Sequence, residues 1–259
     1  MEYIEVREAA EKWGILERRV TALCRLGRIE GAKKVGKLWL IPSDAGKPID
    51  KRTKEYKDAE AAPIDQRETV TRYTESGAGK NAVANFERIY RKAPEHVAFT
   101  PYRVCPLGAH VDHQKGWITG FAIDKGIHIA FGPKMNGVIE IASLQFPKRA
   151  QWHVLSTPTE KQNDWADYLR GATIALAQRF PLRTGLSGVI EGTLPIGGLS
   201  SSAAVIIAFL AALCRVNRIH PTAHEIIMTA LAAENNYVGV SCGKLDQSCE
   251  VYSMKDRLL

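Results

Sequence analysis

The sequence has no run approaching the roughly 18 consecutive apolar residues that cross a bilayer. Its start, MEYIEVREAAEKWG, also lacks the basic segment leading into an apolar one that marks a signal peptide. A cytoplasmic protein without membrane contact is expected. Cysteine is scarce: Cys24, Cys105, Cys214, Cys242 and Cys249 are odd in number, show no CxxC spacing and have no clustered histidines beside them. That pattern excludes a disulfide framework and a zinc site and predicts reduced thiols. Disorder and a collagen-like chain are excluded as well, because 45% of the residues are hydrophobic and 24% charged, the proportions of an ordinary globular protein. With 259 residues there is room for one large or two smaller domains, each able to bury a core, and two of unequal size are expected.

Charge is unevenly placed. Residues 16–54 hold eleven Lys and Arg against four acids, an excess equal to the whole formal net charge of +7, so the remainder of the chain is neutral. Any attraction to a polyanion is therefore to be sought near the N-terminus. There, VREAAEKWG places Val6, Ala9, Ala10 and Trp13 at helical spacing with Gly14 as a turn, and LERRVTALCRLG reads as a second helix ending at Gly27. Two short β-prone runs around Val35, Gly36 and Lys37 follow, closed by Pro42. This order over residues 1–45 resembles the winged helix-turn-helix domains of the MerR and excisionase type. The resemblance implies DNA as a partner, with Arg18, Arg19 and Thr21 at the major groove and Lys33, Lys34 and Lys37 on phosphates. The other reading is a small helical module whose basic face is solvated or binds another protein.

Residues 46–80 are rich in charge, Pro and Gly without a sustained apolar period, and read as a linker. Residues 81–259 read as a second domain. NAVANFERIYRKA (81–93) is expected as a helix and HVAFTPYRV (96–104) as a strand. WITGFAIDKGIHIAFGP, VIEIASL and LSGVIEGTLP have the β-branched and aromatic content of further strands. DWADYLRGATIALAQRF (164–180), SSAAVIIAFLAALCRVN (201–217) and AHEIIMTALAAENNY (223–237) have helical spacing, so the domain is α+β.

The string GTLPIGGLSSSAAVIIAFLAAL (192–213) joins a strand end to a Gly-rich turn, three serines and a long apolar helix. Glycines let backbone approach an anion, and the first N–H groups of the helix point at it with the positive end of the helix dipole, so the string suits phosphate. An ordinary serine-capped helix is the alternative. The GxxxxGK[ST] loop of P-loop proteins is absent. What the string resembles is the second signature of the GHMP small-molecule kinases. RVCPLGAHVDHQKG (103–116) is similar to the sugar-binding signature of their galactokinase branch, GRxNLIGEHTDYxxG, and AENNYVGVSCGKLDQ (233–247) is similar to that branch's CGxxDQ segment.

Three motifs in the family's order imply the GHMP kinase N-terminal domain, a ribosomal protein S5 domain 2-like fold, and a galactokinase-like sugar-1-kinase using ATP and Mg²⁺. Matched position by position, Asp246 is the catalytic aspartate that takes the proton of the monosaccharide's anomeric hydroxyl, and Arg103 is its paired arginine. Gly197, Gly198, Ser200, Ser201 and Ser202 would line the nucleotide phosphates, Ser202 and Glu234 would hold Mg²⁺, and His110, Asp112 and Gly243 would contact the sugar.

Several positions depart from the pattern. Ala109 stands where galactokinases have Glu, which removes a carboxylate acceptor for a sugar hydroxyl and puts galactose itself in question. Tyr102 replaces Gly, Cys105 and Pro106 replace Asn and an aliphatic residue, His113 replaces Tyr, and Lys244 replaces an apolar residue. The phosphate loop is one residue shorter than in the family. About 180 residues follow the linker, and the family's third, C-terminal glycine-rich motif is missing, so a fragment of a longer kinase is expected. The rival function is a transcriptional regulator in which an idle kinase-like domain senses sugar or nucleotide.

Overall fold

A computed structural model describes residues 3–25, 29, 31–36, 38–47, 77–109, 111, 114, 116–193, 199–254 and 257–259. They fall into two units, residues 1–59 and 60–259.

In the first unit, strand β1 (Tyr3–Glu5) leads into helix α1 (Val6–Trp13). Gly14 ends that helix in the left-handed region at φ 63°, where a side chain would be strained, and its N–H caps Ala10 O and Glu11 O. Helix α2 (Glu17–Arg25) follows, then the hairpin strands β2 (Lys33–Val35) and β3 (Leu38–Pro42). The strands form an antiparallel sheet in the order β1-β3-β2; β1, three residues long, has no periodicity to announce it. Ala9, Ala10 and Trp13 of α1 pack with Val20, Leu23 and Cys24 of α2 and with Ile29 and Ile41, a small core that leaves the polar face of α2 outward.

The second unit opens with helix α3 (Gly77–Tyr90), four residues earlier than the composition indicates. Of the stretch read as a linker, 46–80, the end is therefore helical, and residues 48–76 lie outside the described residues. The helix stops short of Lys92 because Arg91 turns to φ 56°. Five strands follow around the helices: β4 (His96–Leu107), β5 (Thr119–Lys134), β6 (Val138–Ser143), β7 (Ala150–His153) and β8 (Gly185–Gly192). They form one sheet in the order β4-β5-β8-β6-β7, antiparallel except for the β6–β8 pair.

Alternation along the strands sends successive side chains to opposite faces. Val97, Ala130, Ala142 and Val189 meet Ala82 and Phe86 of α3 on one face. Ile129, Phe131, Ile139, Ile141, Leu186 and Ile190 face the main core on the other, with helices α4 (Asp167–Ala177), α5 (Ser201–Asn217) and α6 (Ala223–Ala232). Helix α5 is apolar nearly all round because it is buried nearly all round, and it begins and ends where the sequence indicates. The helix expected over 223–237 is α only to Ala232; it widens into a π-helical turn over Ala233–Val238. A last helix, α7 (Leu245–Tyr252), and strand β7 carry no signal strong enough to read from the chain. Among the described residues no helix is long and apolar enough to cross a membrane. All five cysteines are free thiols, and burial pushes those of Cys214 and Cys242 up to about 12.

Candidate active site

Strand β4 delivers Arg103 through an irregularity. Its register against β5 slips between Pro101 and Arg103 and again between Val104 and Leu107, and such slips re-aim side chains. Arg103 thereby reaches Asp246 in the first turn of α7: Nε donates to Oδ1 at 2.9 Å, and the ion pair closes to 2.7 Å through the terminal nitrogen. Both side chains are mostly shielded, at 15% and 25% exposure, so the pair is less screened than a surface salt bridge. The second carboxylate oxygen of Asp246 accepts a hydrogen bond from Ser200 Oγ.

Ser200 is the residue before α5 and sits at φ 58°, a conformation a non-glycine residue seldom adopts and one that functional sites tolerate. That backbone turn sends its hydroxyl to Asp246 rather than to the helix's own N–H groups. Ser201 and Ser202 occupy the first turn of α5, where free N–H groups and the helix dipole favour an anion.

Glu234 lies in the π-helical turn and is 3% exposed. Burial pushes its carboxyl above the ordinary value and nearby Asp246 adds to the shift, against which hydrogen bonds from Ser202, Cys242 and Gln247 act. The 235–242 loop is closed by Asn235, which accepts from Cys242 N at 3.1 Å and donates to Cys242 O at 3.3 Å. Glu250, one helical turn after Asp246, is buried, and neither of its carboxyl oxygens, both shielded from solvent, has a hydrogen-bond partner among the described residues. Burial, Asp246 and Glu234 drive its carboxyl well above the ordinary range, opposed by Arg103.

Beside the start of α5 lies a cavity of about 360 Å³ whose walls include Phe146, Trp165, Tyr168, Ser201, Ser202 and Val205. Its exposed surface is mainly apolar, with Ser143, Gln145, Asn163, Asp164, Ser201 and Ser202 supplying polar groups. The ring planes of Phe146 and Trp165 are within 4° of parallel at 5.8 Å between centroids.

The fold thus brings together Arg103, Ser200, Ser202, Glu234 and Asp246, with Gly243 just before α7 and Ser201 on the cavity wall. Ser200, read among the phosphate-lining residues, commits its hydroxyl to Asp246. Gly197, Gly198, His110 and Asp112 lie outside the described residues, as does Lys37 of the first unit. In that unit Arg18 is exposed on α2, Arg19 and Thr21 are half-buried, and Lys33 and Lys34 are exposed on β2, Lys33 lying 5.4 Å over the Tyr3 ring. Sequence reasoning missed Glu250, Gln247 and the cavity residues Phe146 and Trp165. Gln247 stood beside Asp246 in a quoted motif; Phe146 sits in a loop, where no periodicity points to a wall, and Trp165, read within a helix over 164–180, precedes the helix, which begins at Asp167.

Comparison with known proteins bears on the fold of the second unit. Residues 167–254 match the family model described as GHMP kinases N terminal domain, and residues 84–133 match the one described as galactokinase galactose-binding signature. The chain is 35% identical over 181 residues to a galacturonokinase of Arabidopsis thaliana, covering 62% of this chain and 43% of that protein. It is 34% identical over 166 residues to a galactokinase of Chloroflexus aggregans, covering 63% and 42%. The chain therefore spans less than half the length of these curated relatives. Lactococcus lactis galactokinase, solved with galactose, superposes with a TM-score of 0.60 at 23% identity over 64% of this chain and 44% of that one. Methanococcus jannaschii mevalonate kinase does so with a TM-score of 0.55 at 20% identity, over 63% and 52%. The second unit thus has the mixed α+β fold of the GHMP kinase N-terminal domain, with sequence similarity to galactokinases and a galacturonokinase.

Proposed function

We propose that the second unit serves ATP-dependent phosphorylation of the anomeric hydroxyl of a monosaccharide. The observation that carries this reading is the shielded Arg103–Asp246 pair set against the N-terminal end of α5. Paired with the guanidinium, the Asp246 carboxylate would accept the proton of the attacking hydroxyl. The same positive charge, with the first N–H groups of α5, offsets charge on the oxygens of the transferred phosphoryl group, where positioning and electrostatics supply most of the catalysis. Ser200 holds Asp246 in orientation. In this reading the base of the nucleotide occupies the cavity lined by Phe146, Trp165 and Tyr168, with its phosphates toward Ser201 and Ser202; Gly197 and Gly198 are the further phosphate contacts read from the sequence. Ser202 and Glu234 suit Mg²⁺: both offer hard oxygens, they are hydrogen-bonded to each other, and a cation beside Glu234 offsets the cost of its buried charge. Bound there, Mg²⁺ would neutralise phosphate charge.

The sugar pocket favours an acidic hexose. A glutamate at position 109 would repel a sugar carboxylate, and Ala109 removes that repulsion while also removing an acceptor for a neutral sugar's hydroxyl. His110, Asp112 and Gly243 are the sugar contacts in this reading. Phosphate transfer from ATP to galactose, galacturonic acid, arabinose and N-acetylgalactosamine is the test. Turnover with galacturonic acid above galactose, lost in Asp246→Asn, supports the reading; no transfer to any sugar refutes catalysis.

A second reading has its own observation. Two helices joined at Gly14 and followed by a hairpin with exposed Lys33 and Lys34 have the layout of a MerR or excisionase-type winged helix-turn-helix, with Arg18, Arg19, Thr21 and Lys37 as the other DNA contacts. In this reading the chain is a DNA-binding regulator, and its kinase-like unit senses sugar or nucleotide. Retention of duplex DNA that falls steeply with salt, and is lost in Lys33→Glu with Lys34→Glu, supports it.

A further inference from the structure

The cavity wall formed by Asn163, Asp164 and Trp165 belongs to a loop, residues 158–166, held by other parts of the unit. Asp167, the first residue of α4, accepts from Gln162 N at 3.0 Å and Asn163 N at 2.8 Å, and this fixes Asn163 at φ 58°. Arg170, one turn on, donates to Asp164 Oδ1 at 2.7 Å, Asp164 Oδ2 at 3.1 Å and Asp167 Oδ1 at 2.8 Å, with its guanidinium 5.5 Å over the Trp152 ring. These contacts hold one side of the loop.

The other side is held by Tyr237. Its hydroxyl lies 2.9 Å from both Pro158 O and Glu160 O and shares its proton between them. Its ring lies against Gly171 of α4, where an added Cβ would come within 3.0 Å of Tyr237 Cβ and 3.1 Å of Ala233 O, so a side chain there would push the two elements apart by a few tenths of an ångström. Lys161 Nζ adds a bond to Val238 O at 3.1 Å. Tyr237 sits in the π-helical turn that also carries Glu234, and Glu234 bonds to Ser202, itself on the cavity wall. The contacts form a closed ring from cavity wall to α4, to the turn, to Ser202 and back to the cavity. π-helical turns are uncommon and recur at functional sites.

We propose that Tyr237 is a positioning residue of the nucleotide site: its hydroxyl holds residues 158–166 as a preformed wall and ties that wall to the turn that carries Glu234. The proposal rests on the nucleotide reading given above. A wall already in place when the nucleotide arrives spares the ordering cost that binding would otherwise carry.

Tyr237→Phe tests it, because the ring and its contact with Gly171 stay while the hydroxyl goes. Hydrogen exchange of the ligand-free chain should show amides of 158–166 opening about tenfold more readily, with α5 unchanged. ADP affinity, read by calorimetry in the presence of MgCl₂, should fall about tenfold. Thr222→Ala, which weakens α6 without touching the wall, should leave ADP affinity within twofold, so a general loss of stability is separated from loss of positioning. Lys161→Met, at an exposed side chain, should shift the same amides by a smaller factor and decides the matter if the tyrosine variant does not fold. Unchanged exchange in 158–166 in both variants, or an increase spread evenly over the unit as in Thr222→Ala, overturns the proposal. If the unaltered chain binds no ADP, the nucleotide reading and the positioning role fall together, and the exchange comparison then shows whether Tyr237 holds the loop for structure alone.

Discussion

Glu250 offers a test of the site's electrostatics that needs no substrate. Its carboxyl is fully buried, neither oxygen has a partner among the described residues, and Asp246 and Glu234 add negative potential that Arg103 only partly opposes. The folded state therefore favours the neutral acid, and the folded value lies well above the ordinary 4.5. For a group raised in this way, the stabilising contribution is complete below the unfolded value and is lost as pH rises toward the folded one. Gln is nearly isosteric and never ionises. Relative to the unaltered protein, Glu250→Gln should gain stability with pH at up to about 1.4 kcal/mol per unit between pH 5 and the folded value. For a domain of this size that slope is roughly 3 to 6 °C in Tm per pH unit. Thermal melts of both proteins at several pH values measure the gap; its change with pH carries the information, since any constant cost of the amide cancels. Parallel curves, or a gap that widens toward acid, would refute the account of a neutral Glu250.

Three further outcomes follow from the packing. Thr222→Ala removes a capping box in which Thr222 Oγ1 accepts from Glu225 N at 3.2 Å and Thr222 N donates to the Glu225 carboxylate at 2.7 Å; chemical denaturation should show a loss of about 1 kcal/mol. Gly126→Ala places a Cβ 2.1 Å from Thr100 O, an obstacle made of backbone, so β4 and β5 must separate and stability should fall by about 2 kcal/mol or more. Trp165→Ala removes an aromatic wall of the cavity and should weaken ADP binding about tenfold in calorimetry, in line with about 1 to 3 kcal/mol for base stacking on an aromatic ring.

Much of the architecture could be read along the chain. Helix α5 was legible to its ends because a serine start and an unbroken apolar run are signals carried by adjacent residues, and the three central strands were legible from their β-branched alternation. Helix α3 was placed late because Gly77 and Gly79 look like linker composition, yet Gly79 is buried in the folded unit. Strand β7 was missed because four residues carry too little pattern, and its place at the sheet edge is set by pairing with β6.

The chemistry divides in the same way. By itself the sequence determined the residue types of the site, the basic first segment, the reduced thiols and the order of the elements, since each depends on composition or on neighbours in the chain. Only the tertiary structure decided that Arg103 and Asp246, 143 residues apart, form one ion pair, because that depends on a register slip in β4 and on where α7 begins. It also decided that Ser200 serves Asp246, that the π-helical turn sends Glu234 inward and Tyr237 to the 158–166 loop, and that Glu250 is buried beside three charged groups. These are consequences of distance and burial between elements remote in sequence, and no local pattern of residues encodes them.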